Sequence, residues 1–223
     1  MFGPLATFAR GDTSVERFES WLYAQPDLEA SLGDDLATLL LEADYRDRDV
    51  VWNVRQTLKI EIRAGMDCEC LLLPDLAVVP MGMDGLDERV FATVERLRDH
   101  GGDPWWLYLS RCTACGQHWM VAQEERIYDD YFLKRLTSDE AEPILTSGQW
   151  PADFLTYERV LRVAQTISLH CTFLDPLDPT LVATAGELRT VRPDISVGEI
   201  AELLGVPADR AAIIVSLVRA GNR

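Results

Sequence analysis

The chain has 223 residues, 48% hydrophobic and 26% charged, which is globular usage and excludes a globally disordered polypeptide. The formal net charge of −16 argues against unaided binding to nucleic-acid phosphates or an anionic membrane. No stretch approaches the roughly 20 apolar residues that a bilayer requires, and the first ten residues lack the basic and apolar regions of a secretory signal. The expected setting is reducing cytoplasm, with no membrane partner.

The first third reads as helices. Thr13-Ser14-Val15-Glu16 fits a capping box led by Thr13, and Phe18, Trp21 and Leu22 then share one face. Pro26 opens a second short helix that buries Leu28 and Leu32 and stops at Gly33. Leu36, Leu39, Leu40 and Ala43 form the next apolar stripe. Asp47 or Asp49 starts a fourth helix through Val51, Val54, Leu58 and Ile62, ending near Gly65.

The middle changes character. Residues 71–79 are mostly apolar but interrupted by Pro74. Leu86 to His100 reads as one helix, with Val90, Phe91, Val94 and Leu97 inward and Gly101 at its end. In that reading His100 sits at the helix C-terminus, where imidazole suits the dipole. Residues 106–111 and 117–123 form two strands of a hairpin, 128–136 a third, and Ser138 caps a helix running to about Leu145. In the last third 154–169 is an amphipathic helix, 178–191 another, and Ser196 and Pro207 start the final two. The chain is expected to divide into a helical module (1–65), an α+β segment (66–150) and a C-terminal helical segment (151–223). Their charges are −5, −9 and −2.

The acidic middle holds four of the five cysteines. Cys68-Glu69-Cys70 is a C-x-C pair and Cys112-Thr113-Ala114-Cys115-Gly116 a C-x-x-C-G knuckle. Two close pairs of thiolates match a tetrahedral zinc site, and a closed four-sulfur site is structural rather than catalytic. The glycine allows the tight turn in which N–H groups face sulfur. Unliganded core thiols and a redox C-x-x-C are the alternatives; a redox pair belongs at a helix N-terminus, and this one falls in a hairpin turn. His118 is a substitute ligand in a variant of the zinc reading. Cys171 follows His170, but neighbours on a strand face opposite ways, so it reads as a buried small hydrophobe.

Residues 196–207 resemble the first helix and turn of a helix-turn-helix unit, with Ala201 at the close-packing position and Gly205 in the turn. The helix that follows lacks the base-reading side chains of a DNA binder; Arg210, Arg219 and Arg223 are its only cations. Phosphate-loop, dinucleotide, H-E-x-x-H and G-x-S-x-G motifs are absent. Glu124, Glu125, Asp129 and Asp130, with Lys134 nearby, read as a solvated acidic face rather than part of a metal-dependent nuclease. Of the adjacent Trp105 and Trp106, only one can face the core. The other is a candidate binding anchor, because tryptophan is enriched at interface hot spots.

Two resemblances follow from these residues. The string Phe18-Glu19-Ser20-Trp21-Leu22-Tyr23, Leu28-Glu29, Leu32-Gly33, Leu39-Leu40 and Asp44-Tyr45-Arg46 resembles a bacterial helical module of the form F-E-x-W-[LV]-Y … L-E-x-x-L-G … D-Y-[RK]. Such modules are associated with immunity-type proteins of toxin systems. The resemblance covers roughly residues 10–60 and transfers no catalytic residue. Cys112 to Trp119 resembles the second knuckle of small zinc-ribbon proteins, which implies a structural or partner-binding role.

The combined expectation is an α+β protein: an N-terminal helical bundle, a small zinc-ribbon-like sheet with a helix, and C-terminal helices. One structural zinc on Cys68, Cys70, Cys112 and Cys115 would staple it, and Trp105 and Trp106 would serve binding. Its function would be non-enzymatic engagement of a basic protein, in the manner of an immunity protein. The alternatives are a regulator that binds DNA through residues 196–220, or an enzyme whose site is not visible in motifs.

Overall fold

A computed structural model describes residues 2–171, 173, 175 and 177–221. Among these, eleven α-helices and five strands form an α+β fold. The helices α1 (Phe2–Arg10), α2 (Val15–Leu22), α3 (Leu28–Leu32), α4 (Asp34–Glu42) and α5 (Arg48–Ala64) make the bundle. Its apolar core draws on residues 5–72 alone. Phe8 and Phe18 stack with ring centroids 3.8 Å apart. Tyr45 meets both edge-on, its hydroxyl donating to the Leu40 carbonyl at 2.8 Å. The Asp47 carboxylate accepts the N–H groups of Asp49 and Val50, satisfying two donors that the first turn of α5 leaves unpaired. Val51, Val54, Leu58 and Ile62 then point inward at helical spacing.

Several sequence readings of this region shift. Ser14, not Thr13, caps α2 by accepting from the Arg17 N–H. The inward residues of α4 are Ala37 and Leu40, while Leu39 lies outward. Helix α1 has no counterpart in the sequence reading.

The strands β1 (Leu76–Pro80), β2 (Val94–Asp99), β3 (Leu107–Cys112), β4 (His118–Glu124) and β5 (Asp130–Leu136) form an antiparallel sheet of order β1-β5-β4-β3-β2. The expected single helix over 86–100 is instead α6 (Leu86–Phe91) followed by strand β2. The apolar spacing of Val90 and Val94 suits a helix, but tertiary pairing overrides it. Val94 sits opposite Cys112 on β3, and the Thr93 carbonyl accepts the N–H of Thr113 at 2.8 Å. His100 therefore follows an edge strand, where its ring lies 5.3 Å from Trp150. Edge strand β2 carries an irregularity between Arg96 and Arg98 and is mostly charged, both of which blunt pairing with other chains.

Both sheet faces are covered. Leu107, Leu109, Met120, Ala122, Phe132 and Leu136 face one core. That core is completed by α7 (Ser138–Ser147), α8 (Tyr157–Thr166), α9 (Pro179–Val191), α10 (Val197–Leu204) and α11 (Ala208–Gly221). It runs without interruption from Trp106 to Val215. The opposite face packs Tyr108, Trp119, Val121 and Leu133 against Cys70, Leu73 and Val90. Thr137, not Ser138, caps α7, in a reciprocal box with Glu140.

Candidate metal centre and aromatic groove

The β3–β4 turn delivers the C-x-x-C pair. Cys112 closes the hairpin by accepting the Gly116 N–H at 2.9 Å and donating its own to the Gln117 carbonyl at 2.9 Å. Gly116 adopts φ +78°, a left-handed conformation that disfavours any side chain. The backbone N–H groups of Ala114 and Cys115 point at the Cys112 sulfur, and Thr93 Oγ1 lies 3.5 Å from it. The C-x-C pair reaches the same point from the loop after α5. The four sulfurs of Cys68, Cys70, Cys112 and Cys115 lie within 4.8 Å of one another and could hold a metal ion. In a tetrahedron with metal–sulfur bonds of about 2.3 Å the sulfurs are roughly 3.8 Å apart, so a small inward movement completes the site. His118 is not part of this group; on β4 it sits opposite Arg111 and Leu136.

The thiols differ in environment. Burial pushes Cys68 up to about 11 and raises Cys70 as well. Cys112 is also penalised by burial, yet Thr93 and the two N–H groups outweigh it and bring the thiol to about 7. A metal therefore displaces protons as it binds, and its affinity rises with pH.

Three side chains support the centre. The Trp119 indole N–H donates to Cys70 Sγ at 3.3 Å. Arg135 lies over the Trp119 ring and donates to Asp75 Oδ1, Gln117 Oε1 and the carbonyls of Cys70 and Leu73 at 2.7–3.0 Å. Glu69, between the first two cysteines, is buried. It accepts Arg63 Nε at 3.0 Å from α5 and Arg89 Nε at 3.2 Å from α6. Only the x of C-x-C marked Glu69, and nothing local marked Arg135, whose partners lie 18 to 65 residues away.

The acidic group on β4 and β5 is solvated only in part: Glu125 and Asp129 are exposed. Glu124 is fully buried and Asp130 nearly so. Glu124 accepts the N–H groups of Arg126, Ile127 and Tyr128 at 2.6–3.0 Å and the hydroxyl of Tyr157. It organises the β4–β5 turn, and its partners are structural. Asp130, opposite it in register, is pushed up to about 6 by burial, by Glu124 and by Asp129.

Trp105 and Trp106 stand in the turn before β3 rather than on it. Trp106 is buried, its N–H donating to the Phe154 carbonyl at 3.0 Å. Trp105 is 47% exposed. Both line a groove of about 870 Å³ with Tyr157, Leu188, Val218 and Arg126. The Arg126 guanidinium lies 4.6 Å from the Tyr157 ring centre and 5.9 Å from that of Trp105.

In the tail, the Ser196–Glu199 capping box opens α10, and Gly205 turns the chain at φ +62°. The outward residues of α11 include Asp209, Ile213, Ser216 and Leu217. Arg210 is engaged with the carbonyls of Phe173 and Asp175; Arg223 lies outside the described residues. Cys171 is half-buried against the large core, and His170 is exposed. Among the described residues no helix is long and apolar enough to cross a membrane. Compared with protein-family models, curated proteins and solved structures, the chain finds no match.

Proposed function

We propose that this chain is a non-enzymatic protein-binding protein stapled by one structural zinc ion, with a basic protein as its partner, in the manner of an immunity protein that neutralises a toxin. The observation that carries the reading is the convergence of four sulfurs from two distant loops within 4.8 Å. Four cysteine ligands suit a soft, tetrahedral ion and leave no coordination position for substrate. The Ala114 and Cys115 N–H groups and the Trp119 indole supply the outer hydrogen bonds that a thiolate centre needs. The net charge of −16 speeds encounter with a basic partner. Half-exposed Trp105, on a groove with an apolar floor, is the anchor that such a partner would bury.

Metal content by mass spectrometry, with thiols counted before and after chelation, tests the first part. Near one zinc per chain with four protected thiols supports it; metal-free protein with four reactive thiols overturns it. For the second, affinity capture should recover a basic enzyme that the purified chain inhibits, with Trp105→Ala weakening the complex at least tenfold. A partner of acidic charge, or one indifferent to Trp105, would count against it. DNA binding through residues 196–220 is the rival, and retention on a DNA column at moderate salt would favour it.

A further inference from the structure

We propose that the loop Cys68–Leu73 is a metal-set clasp: metal in the four-cysteine centre holds the N-terminal helices against the sheet, and its loss frees those helices as one unit. This rests on the centre being a metal site. The two halves of the protein have separate cores. The bundle core ends at Leu72, and the sheet cores begin with Cys68 and Cys70. Among the described residues, the hydrogen bonds from α1–α5 to side chains or backbone beyond Met66 end on this loop. Arg10 Nη1 donates to the Leu71 carbonyl, and Arg63 Nε donates to both oxygens of Glu69 at 3.0 and 3.1 Å.

The loop sorts its residues between the two sides. Leu71 and Leu72 pack into the bundle. Cys70 and Leu73 pack against the sheet, where Arg135 grips both carbonyls. Glu69 faces both, through Arg63 of α5 and Arg89 of α6. Those two arginine side chains are 43% and 45% exposed while Glu69 is buried, so the ion pairs, screened on the arginine side, are the secondary tie. Coordination of Cys68 and Cys70 together with Cys112 and Cys115 is the strong tie, since metal binding free energy is folding free energy for the segments it joins.

The test uses the full chain under reducing conditions, zinc-loaded and after chelation, and a Glu69→Gln variant. Metal is followed by mass spectrometry, protection by hydrogen exchange and dimensions by small-angle scattering. On zinc removal, exchange across residues 65–75 should accelerate at least tenfold while α1–α5 and α8–α11 stay protected, and the radius of gyration should rise. In Glu69→Gln, compared with wild type at the zinc content that the mass measurement reports, exchange in the same span should accelerate several-fold. Unchanged protection and dimensions after verified loss of zinc would overturn the clasp. So would loss of protection throughout, α8–α11 included, or a Glu69→Gln variant identical to wild type. A chain that takes up no zinc fails at the metal reading itself, which the mass measurement reports separately from exchange.

Discussion

The indole N–H of Trp119 donates to the sulfur of Cys70 across 3.3 Å, joining the middle of the sheet to a loop 49 residues earlier in the chain. A hydrogen bond to sulfur stabilises the thiolate and fixes its direction. Trp119→Phe keeps an aromatic ring on the buried face but removes the donor. The expected outcome is a zinc affinity 10–100-fold lower, as for other losses of outer hydrogen bonds at metal sites, with a cooperative unfolding transition retained. Competition with a chromophoric chelator measures it; an unchanged affinity would show that the contact is packing only.

Arg135 should not tolerate lysine. Its guanidinium serves four acceptors at once, two of them backbone carbonyls of the cysteine loop, and it stacks on Trp119 at 4.4 Å. An ammonium has no planar fork with which to reproduce that set. Arg135→Lys should lower the thermal midpoint of the zinc-loaded protein by several degrees, and Arg135→Ala by more. Calorimetry on the two variants decides; equal midpoints for Lys and Arg would remove the argument from geometry.

Asp130 gives a pH dependence of unusual sign. Its folded-state value, about 6, lies above the ordinary carboxylate value of 3.8. The folded state thus holds the proton more tightly than the unfolded one between these limits, so this group's contribution to stability falls as pH rises through that window. Above about pH 6 the fold carries the full cost of the buried charge. Asp130→Asn should be more stable than wild type at pH 7, with the advantage shrinking toward pH 4. Urea titrations at several pH values test the difference, because the cysteines contribute equally to both proteins.

Gly205 is required by its surroundings as much as by its own φ of +62°. A Cβ there would meet the Cys171 N at 3.0 Å and the Leu169 O and Tyr128 Oη at 3.1 Å. Tyr128 already donates to the Leu203 carbonyl at 2.7 Å, so neither backbone nor phenol can yield cheaply. Gly205→Ala should cost about 1–3 kcal/mol, read from denaturant unfolding. A neutral substitution would mean that the tail shifts as a unit.

What the sequence made legible follows the range of each interaction. Helix α5 is legible, with its start open only between Asp47 and Asp49, because its cap, its four inward residues and Gly65 are all local. The hairpin of β3 and β4 was read because its turn carries its own signal in Cys112 to Gly116. Strand β2 was read as helix because the residues that make it a strand, Cys112 and Arg111, sit on its neighbour. Glu124 reads as solvated because its partner Tyr157 lies 33 residues away, outside any local window. The four cysteines were named, but not the Glu69 and Arg135 contacts that aim them, since a charged residue looks the same in a sequence whether exposed or clamped.

The bundle core closes on residues 5–72, while the second pair of ligands lies 42 and 45 residues beyond Cys70. On the ribosome, at about 5–20 residues per second, that interval is roughly 2–9 s. The first five helices can settle in that time with Cys68 and Cys70 still unliganded. Biogenesis then has an order written into it: a preformed helical unit waits with half of the proposed metal site, and synthesis of the β3–β4 turn supplies the other half. A nascent chain arrested before Cys112 should therefore show a protected bundle and two reactive thiols.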